Sequence, residues 1–117
     1  EGSSYKSKEK LDPVLTSEYI DVAIERFAPD MDLKNPYISP KFAEYTDFPP
    51  VFIQVGTNEI LYSDSTGLNK RLNSFNVNTT LDVYKGMWHV FQMTPLKTAA
   101  EAIDKTAEFI FKLLLFN

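Results

Sequence analysis

A chain of 117 residues has the length of one domain, and its 44% hydrophobic and 14% aromatic content is enough apolar material for a core. The 16 acidic residues outweigh 12 basic ones, for a net charge of −4 with no basic stripe, which excludes the electrostatic footprint of a nucleic-acid binder or of a protein drawn to anionic membranes. The absence of cysteine excludes disulfide frameworks, thiolate metal sites and cysteine nucleophiles, and a single histidine excludes the usual multi-histidine zinc sites.

A cysteine-free composition fits a reducing compartment, so the expected location is cytoplasmic. No apolar run approaches the roughly 18 to 20 residues that a bilayer span needs. Residues 1–11 are hydrophilic, with lysines at 6, 8 and 10, and read as a flexible, solvated lead-in to a body at 12–117. This start is too polar for a signal peptide and lacks an initiator methionine, so the expectation is a piece of something longer.

A helix is predicted to begin at Asp12-Pro13 or at Thr16-Ser17, since proline suits a first helical position and serine or threonine suits a cap. Leu15, Tyr19, Ala23, Ile24 and Phe27 recur at helical spacing up to Pro29. Prolines at 36, 40, 49 and 50 mark Asp30 to Pro50 as loop. Val51-Phe52-Ile53-Gln54-Val55 is a β-branched and aromatic run closed by Gly56, with apolar residues for both faces, as in a parallel strand covered by helices. A second helix is predicted from about Asp64 to Phe75, with Leu68, Leu72 and Phe75 on one stripe. Thr79 to Tyr84 then alternates as a second strand and stops before Gly86. A closing amphipathic helix carries Ala99, Ala102, Ile103, Thr106, Ala107, Ile110, Phe111, Leu114 and Leu115 on one face.

Two strands separated by a helix imply an α/β fold with parallel pairing through a crossover. Two strands make a poor sheet, however, and Val51 to Val55 would want neighbours on both edges. The sheet is therefore expected to be incomplete, its free edge meeting either upstream strands or a second copy.

In an open parallel sheet, reactive groups gather beyond the C-terminal ends of the strands. Gly56-Thr57-Asn58-Glu59-Ile60-Leu61 follows the first strand and Gly86-Met87-Trp88-His89-Val90-Phe91 follows the second. A carboxylate and the only imidazole thus fall at the same end of neighbouring strands, 30 residues apart. A carboxylate that accepts from Nδ1–H fixes the imidazole tautomer and stabilises an imidazolium formed in turnover. A lone histidine beside a tryptophan is more often packing than catalysis; placement at a strand end opposite an acid is what raises its standing.

The run Pro49-Pro50-Val51-Phe52-Ile53-Gln54-Val55-Gly56, with Glu59-Ile60-Leu61, and the later Tyr84-Lys85-Gly86-Met87-Trp88-His89-Val90-Phe91-Gln92 resemble the C-terminal block of the hormone-sensitive-lipase-like esterases, a branch of the α/β-hydrolase superfamily. Leu11-Asp12-Pro13-Val14-Leu15-Thr16 and Asn35-Pro36-Tyr37-Ile38-Ser39-Pro40 resemble other stretches of that family, so the likeness runs over nearly the whole chain from about Leu11, with the histidine block its most specific part. The resemblance implies a serine carboxylic ester hydrolase acting on small or medium esters without metal or organic cofactor, with His89 as general base and acid. It puts the triad acid on Glu59, where the family more often has aspartate, and glutamate is an accepted variant. Asp64 is the rival acid; its ordinary alternative is a carboxylate favoured by a helix N-terminus.

The family's G-x-S-x-G elbow and HGG-type oxyanion loop are absent, because the glycines stand at 2, 56, 67 and 86. Ser63 and Ser65 read as helix-start residues rather than nucleophiles. The chain alone is therefore expected to be inactive, with the serine supplied from elsewhere. Met87, Trp88 and Phe91, with Met93, could line a substrate pocket, although aromatics after a strand are usually core. The sequon Asn78-Thr79-Thr80 overlaps the second strand and matters only in a secreted eukaryotic protein. Two other readings stay open: a non-catalytic module that binds through its sheet edge, and a different α/β enzyme using Glu59 and His89.

Overall fold

The computed structural model describes residues 2–116 of the chain. A short helix α1 (Ser4–Ser7) precedes α2 (Ser17–Phe27), a long loop containing one turn of 3-10 helix (Pro40–Phe42), strand β1 (Val51–Gly56), helix α3 (Tyr62–Ser74), strand β2 (Thr79–Tyr84), a second 3-10 turn (Phe91–Met93) and helix α4 (Lys97–Phe116). The order is the expected helix, loop, strand, helix, strand, helix.

The two strands pair in parallel, in register from Val51 opposite Thr79 to Gly56 opposite Tyr84. Both strands therefore end level, and the segments that follow them leave the sheet side by side. The sheet has these two strands alone among the described residues, with the far edge of β1 unpaired. This is the incomplete sheet that the sequence predicted.

Alternation along β1 assigns its two faces. Val51 and Ile53 pack with Leu68 and Leu72 of α3, with Phe75 just beyond it, and with Tyr45 and Val77. On the opposite face Phe52 stacks on Phe109 of α4 with ring centroids 5.2 Å apart, and the Gln54 side-chain amide donates to the Ala102 carbonyl of α4 at 2.8 Å. A strand covered on both sides needs apolar residues at successive positions, as this run has. The second cluster, Tyr84, Phe91, Ala99 and Ala102, lies between the end of β2 and the first turns of α4, with Met87 and Trp88 packed against it.

The structure chooses between some of the alternatives and changes other details. Residues 4–7 form a short helix, and Ser4 is buried against the start of α3, where its backbone N–H donates to Ser63 Oγ and its hydroxyl to the Ile60 carbonyl. The first long helix starts at Ser17, with Thr16 Oγ1 accepting from the Tyr19 N–H as its cap. Helix α3 begins two residues before Asp64, and Ser63 does not cap it but bonds Ser4. The apolar face expected of α4 is only partly covered: Ala99 and Ala102 are buried, whereas Ile103, Ile110, Phe111, Leu114 and Leu115 are exposed. Likewise Tyr19 and Phe27 of α2 are exposed, and it is Ile20 and Ile24 that turn inward. These two helices thus carry apolar surface that no described residue covers.

Candidate active site

The site is assembled by the two segments that follow the strands. Beyond the last strand pair, the Thr57 N–H donates to the Tyr84 carbonyl at 2.9 Å and the Asn58 N–H to the Met87 carbonyl at 2.9 Å. The Asn58 side-chain amide donates to the Gly86 carbonyl at 3.2 Å, and the Gly86 N–H donates to Thr57 Oγ1 at 2.8 Å. The ladder is thus continued, by side chains and main chain together, past the point where the strands end.

Two glycines make this possible. Gly86 has φ +78°, the left-handed region open to glycine at little cost. At Gly56 a Cβ would lie 2.1 Å from the Met87 carbonyl oxygen; only hydrogen fits between the two backbones.

Glu59 sits in the turn after β1, its N–H donating to the Gly56 carbonyl at 3.2 Å. Its residue surface is only 6% exposed, and its two carboxylate oxygens have separate partners. Oε1 accepts from the Gly56 N–H at 2.7 Å, and Oε2 lies 3.2 Å from His89 Nδ1. A carboxylate acceptor at Nδ1 selects the tautomer with the proton there, leaving the Nε2 lone pair available. Nε2 has no partner among the described residues, and the His89 side chain keeps 29% of its surface exposed. The carboxylate is inside and the imidazole is part-exposed.

The histidine segment is anchored on its C-terminal side. Val90 takes up φ 52°, ψ 31°, a left-handed conformation that a β-branched residue adopts only when its surroundings impose it. That reversal sends Phe91 into the core, where it is fully buried and its ring meets Tyr84 at 4.9 Å between centroids. Gln92 donates from its side-chain amide to Gln54 Oε1 at 3.2 Å, linking the segment to the middle of β1.

Beneath it, Asp82 Oδ2 accepts from the Tyr84 hydroxyl at 2.5 Å and Asp82 Oδ1 from Lys105 at 3.0 Å. Burial alone would raise the Asp82 carboxyl, but the bonds from Tyr84 and Lys105, the Lys105 charge and the Gln54 amide hold it below the ordinary carboxylate range.

Of the residues singled out in the sequence, Glu59 and His89 are brought together. Asp64 is not part of that pair: it faces the other way on the first turn of α3, with Oδ1 3.9 Å from Lys41 Nζ. It lines an open groove of about 760 Å³ with Ile20, Ile24, Leu61 and Leu68. Phe91 is core rather than pocket wall, because it has no exposed surface. Met87 and Trp88 are half-buried against the same cluster, and Met93 is exposed. No group of metal-ligating side chains occurs among the described residues, and no helix there is long and apolar enough to cross a membrane. Sequence reasoning missed Asp12, which is buried and bonds the Ile60 N–H; its Asp-Pro context signalled only a chain turn.

Comparison with known proteins agrees with this architecture. The family profile described as alpha/beta hydrolase fold matches residues 1–93. An esterase of Acinetobacter venetianus is 31% identical over 109 residues, covering 91% of this chain and 36% of that protein. An acetyl-hydrolase of Streptomyces hygroscopicus is 28% identical over 91 residues, covering 78% and 30%. Among solved structures, an esterase from the bacterial hormone-sensitive lipase family superposes with a TM-score of 0.90 at 29% identity, covering 95% of this chain and 38% of that one. A hormone-sensitive lipase from a metagenome library gives 0.89 at 31% identity, covering 93% and 38%. The chain thus spans about a third of the length of these relatives, from 30% to 38%. It belongs to the α/β-hydrolase family, in the branch of the hormone-sensitive-lipase esterases and lipases.

Proposed function

We propose that this chain supplies the acid and the base of a serine carboxylic ester hydrolase, with the nucleophile and the oxyanion donors coming from polypeptide outside these 117 residues. The single observation that carries the reading is the 3.2 Å contact between Glu59 Oε2 and His89 Nδ1, with Nε2 turned away from it. In that arrangement Nε2 takes the proton of a serine hydroxyl as its oxygen attacks the ester carbonyl. Glu59 remains ionised and stabilises the imidazolium. The ring then gives the proton to the departing alcohol, and water repeats the sequence in reverse to release the acid. Asp64, engaged with Lys41 in the groove, plays no part in the relay.

The substrate class follows from the relatives, which are described as an esterase and an acetyl-hydrolase; a small acyl ester is the natural first substrate. The chain alone is inactive, because nothing in it forms the acyl-enzyme or holds the oxyanion. Loss of one oxyanion donor costs roughly 10²–10³ in rate, and here the hole as a whole lies outside. The test is hydrolysis of p-nitrophenyl butyrate by the chain alone and by the chain joined to a serine-bearing upstream part. Activity of the joined protein that disappears in His89→Ala supports the reading. Hydrolysis by the isolated chain above free imidazole, and dependent on His89, overturns the requirement for an outside nucleophile.

A second reading has one observation in its favour, the unpaired far edge of β1. A truncated relative could bind another strand there without catalysing anything. An inactive joined protein that still forms a stable complex through that edge would favour it.

A further inference from the structure

The loop that carries Glu59 is held from one side by the strand end and from the other by the first twelve residues of the chain. Ile60, the next residue, is fully buried. Both of its main-chain polar groups are engaged by side chains from that early segment: its N–H donates to Asp12 Oδ2 at 3.1 Å, and its carbonyl accepts from Ser4 Oγ at 2.6 Å. We propose that Ser4 and Asp12 form a clamp on Ile60 that positions Glu59 against His89, so that both are positioning residues for the relay. The inference rests on the reading of Glu59 and His89 as a working pair.

The geometry of the peptide unit carries the argument. The Ile60 N–H belongs to the same rigid plane as the Glu59 carbonyl, so Asp12 fixes the plane that adjoins the Glu59 Cα. On the other side, the Glu59 N–H is tied to the Gly56 carbonyl at 3.2 Å. With both flanking planes held, only the side-chain torsions remain to aim the carboxylate between the Gly56 N–H and the imidazole. Release of the Ile60 side would let that backbone rotate, and a rotation at Cα is carried out to the glutamate carboxylate, which then drifts from its 3.2 Å contact with the imidazole.

The chemistry of the two clamp residues fits the task. Asp12 Oδ1 accepts from the Val14 N–H at 3.0 Å and the Leu15 N–H at 3.2 Å, a local turn that serine or asparagine could also serve. The second oxygen is what distinguishes aspartate. It leaves a second acceptor, in the same plane and with no competing hydrogen, for a residue 48 positions away. Ser4 uses its hydroxyl fully. Its one proton goes to the Ile60 carbonyl, so in the 2.5 Å contact between Ser4 Oγ and Ser63 Oγ it is Ser63 that donates. Ser4 Oγ also accepts from the Ser63 N–H at 2.9 Å, and Ser63 Oγ accepts from the Ser4 N–H at 3.2 Å. These bonds fasten α1 to the first turn of α3, immediately after the acid loop.

His89 is the only histidine in the chain, so its ring nitrogens give an unobstructed reading in a long-range ¹H–¹⁵N correlation spectrum. The experiment compares the 117-residue chain with Glu59→Ala, Asp12→Ser and Ser4→Ala at about pH 8.5, well above the ordinary imidazole range near 6.5. Asp12→Ser keeps an acceptor for the local turn and removes the reach to Ile60. The expected result is an Nδ1–H tautomer in the wild-type chain. Glu59→Ala shifts it to Nε2–H, and Asp12→Ser and Ser4→Ala each shift the signals in the same direction while backbone amide dispersion away from the loop is preserved. A shift in Glu59→Ala with wild-type signals in both clamp variants overturns the clamp and leaves the pair standing. No shift in Glu59→Ala overturns the pair itself. Should Asp12→Ser fail to fold, Ser4→Ala decides by the same criterion.

Discussion

The backbones of Gly56 and Met87 approach so closely that a β-carbon on Gly56 would stand 2.1 Å from the Met87 carbonyl oxygen, 2.4 Å from its carbonyl carbon and 2.9 Å from the Trp88 nitrogen. These are main-chain atoms, which no rotamer change can move aside. The segments that carry Glu59 and His89 are therefore apposed as two backbones with nothing between them, and the Gly56 N–H that steadies the Glu59 carboxylate belongs to the same residue. Gly56→Ala should force the segments apart. We expect a loss of about 1–3 kcal/mol in stability, the usual cost of overpacking, together with loss of the Glu59–His89 contact. Urea unfolding followed by far-UV circular dichroism measures the first; an unchanged midpoint would show that the approach is slack.

Phe91 holds the other end of the histidine segment. It is fully buried between Tyr84 and the first turns of α4, two residues after His89. Phe91→Ala should cost about 3–5 kcal/mol, the range for truncating a buried phenylalanine, read as a fall in the urea midpoint with little change in slope. A loss below about 1 kcal/mol would mean that the side chain is not the anchor described.

The polar group beneath the histidine segment has a defined pH signature. Asp82 is held below the ordinary carboxylate range although burial acts in the opposite sense. A carboxyl depressed in the folded chain adds stability that is present above its unfolded value of about 3.9 and is lost as pH falls through the folded value. Lys105 is raised, chiefly by its hydrogen bond to Asp82, and Tyr84 is raised by burial and then by Asp82. Their contribution is present below about pH 10 and is lost as pH rises through the folded values. Asp82→Asn should therefore lower the urea midpoint at neutral pH, and the gap from wild type should close below about pH 4. A gap that stays constant into acid would show that the carboxylate charge is not involved.

Association is the expectation for a two-stranded sheet with both outer edges unpaired among the described residues and apolar residues uncovered on α2 and α4. Size-exclusion chromatography with light scattering on the 13.4 kDa chain should give dimers or larger species at micromolar concentration. A clean monomer across that range would show that the edges and the apolar faces do not drive self-association.

Some of this was legible in the sequence because local signals and tertiary placement agreed. The run Val51 to Val55, between two prolines and a glycine, could hardly be anything but a buried strand, and Glu59 and His89 then fell to one end by topology alone. Asp64 could not be set aside from spacing, since it stands only five positions after Glu59; in the fold the first turn of α3 places it in the groove beside Lys41. The helix faces misled where periodicity promised a partner that the described residues do not contain, as at Leu114 and Leu115. Ser4 and Asp12 were hidden for another reason. Their bonds to Ile60 join positions 56 and 48 residues apart, and no local pattern signals that a polar lead-in folds back onto the acid loop.

The account turns on Glu59, not Asp64, being the partner of His89 in ester hydrolysis. The direct measurement is kcat/KM for p-nitrophenyl butyrate with the chain joined to its serine-bearing part, in Glu59→Ala, Asp64→Ala and His89→Ala. We predict losses on the order of 10⁴-fold or more for His89→Ala and Glu59→Ala, as when a triad base or acid is removed, and nearly unchanged activity for Asp64→Ala. Collapse of activity in Asp64→Ala, with Glu59→Ala close to wild type, would contradict it.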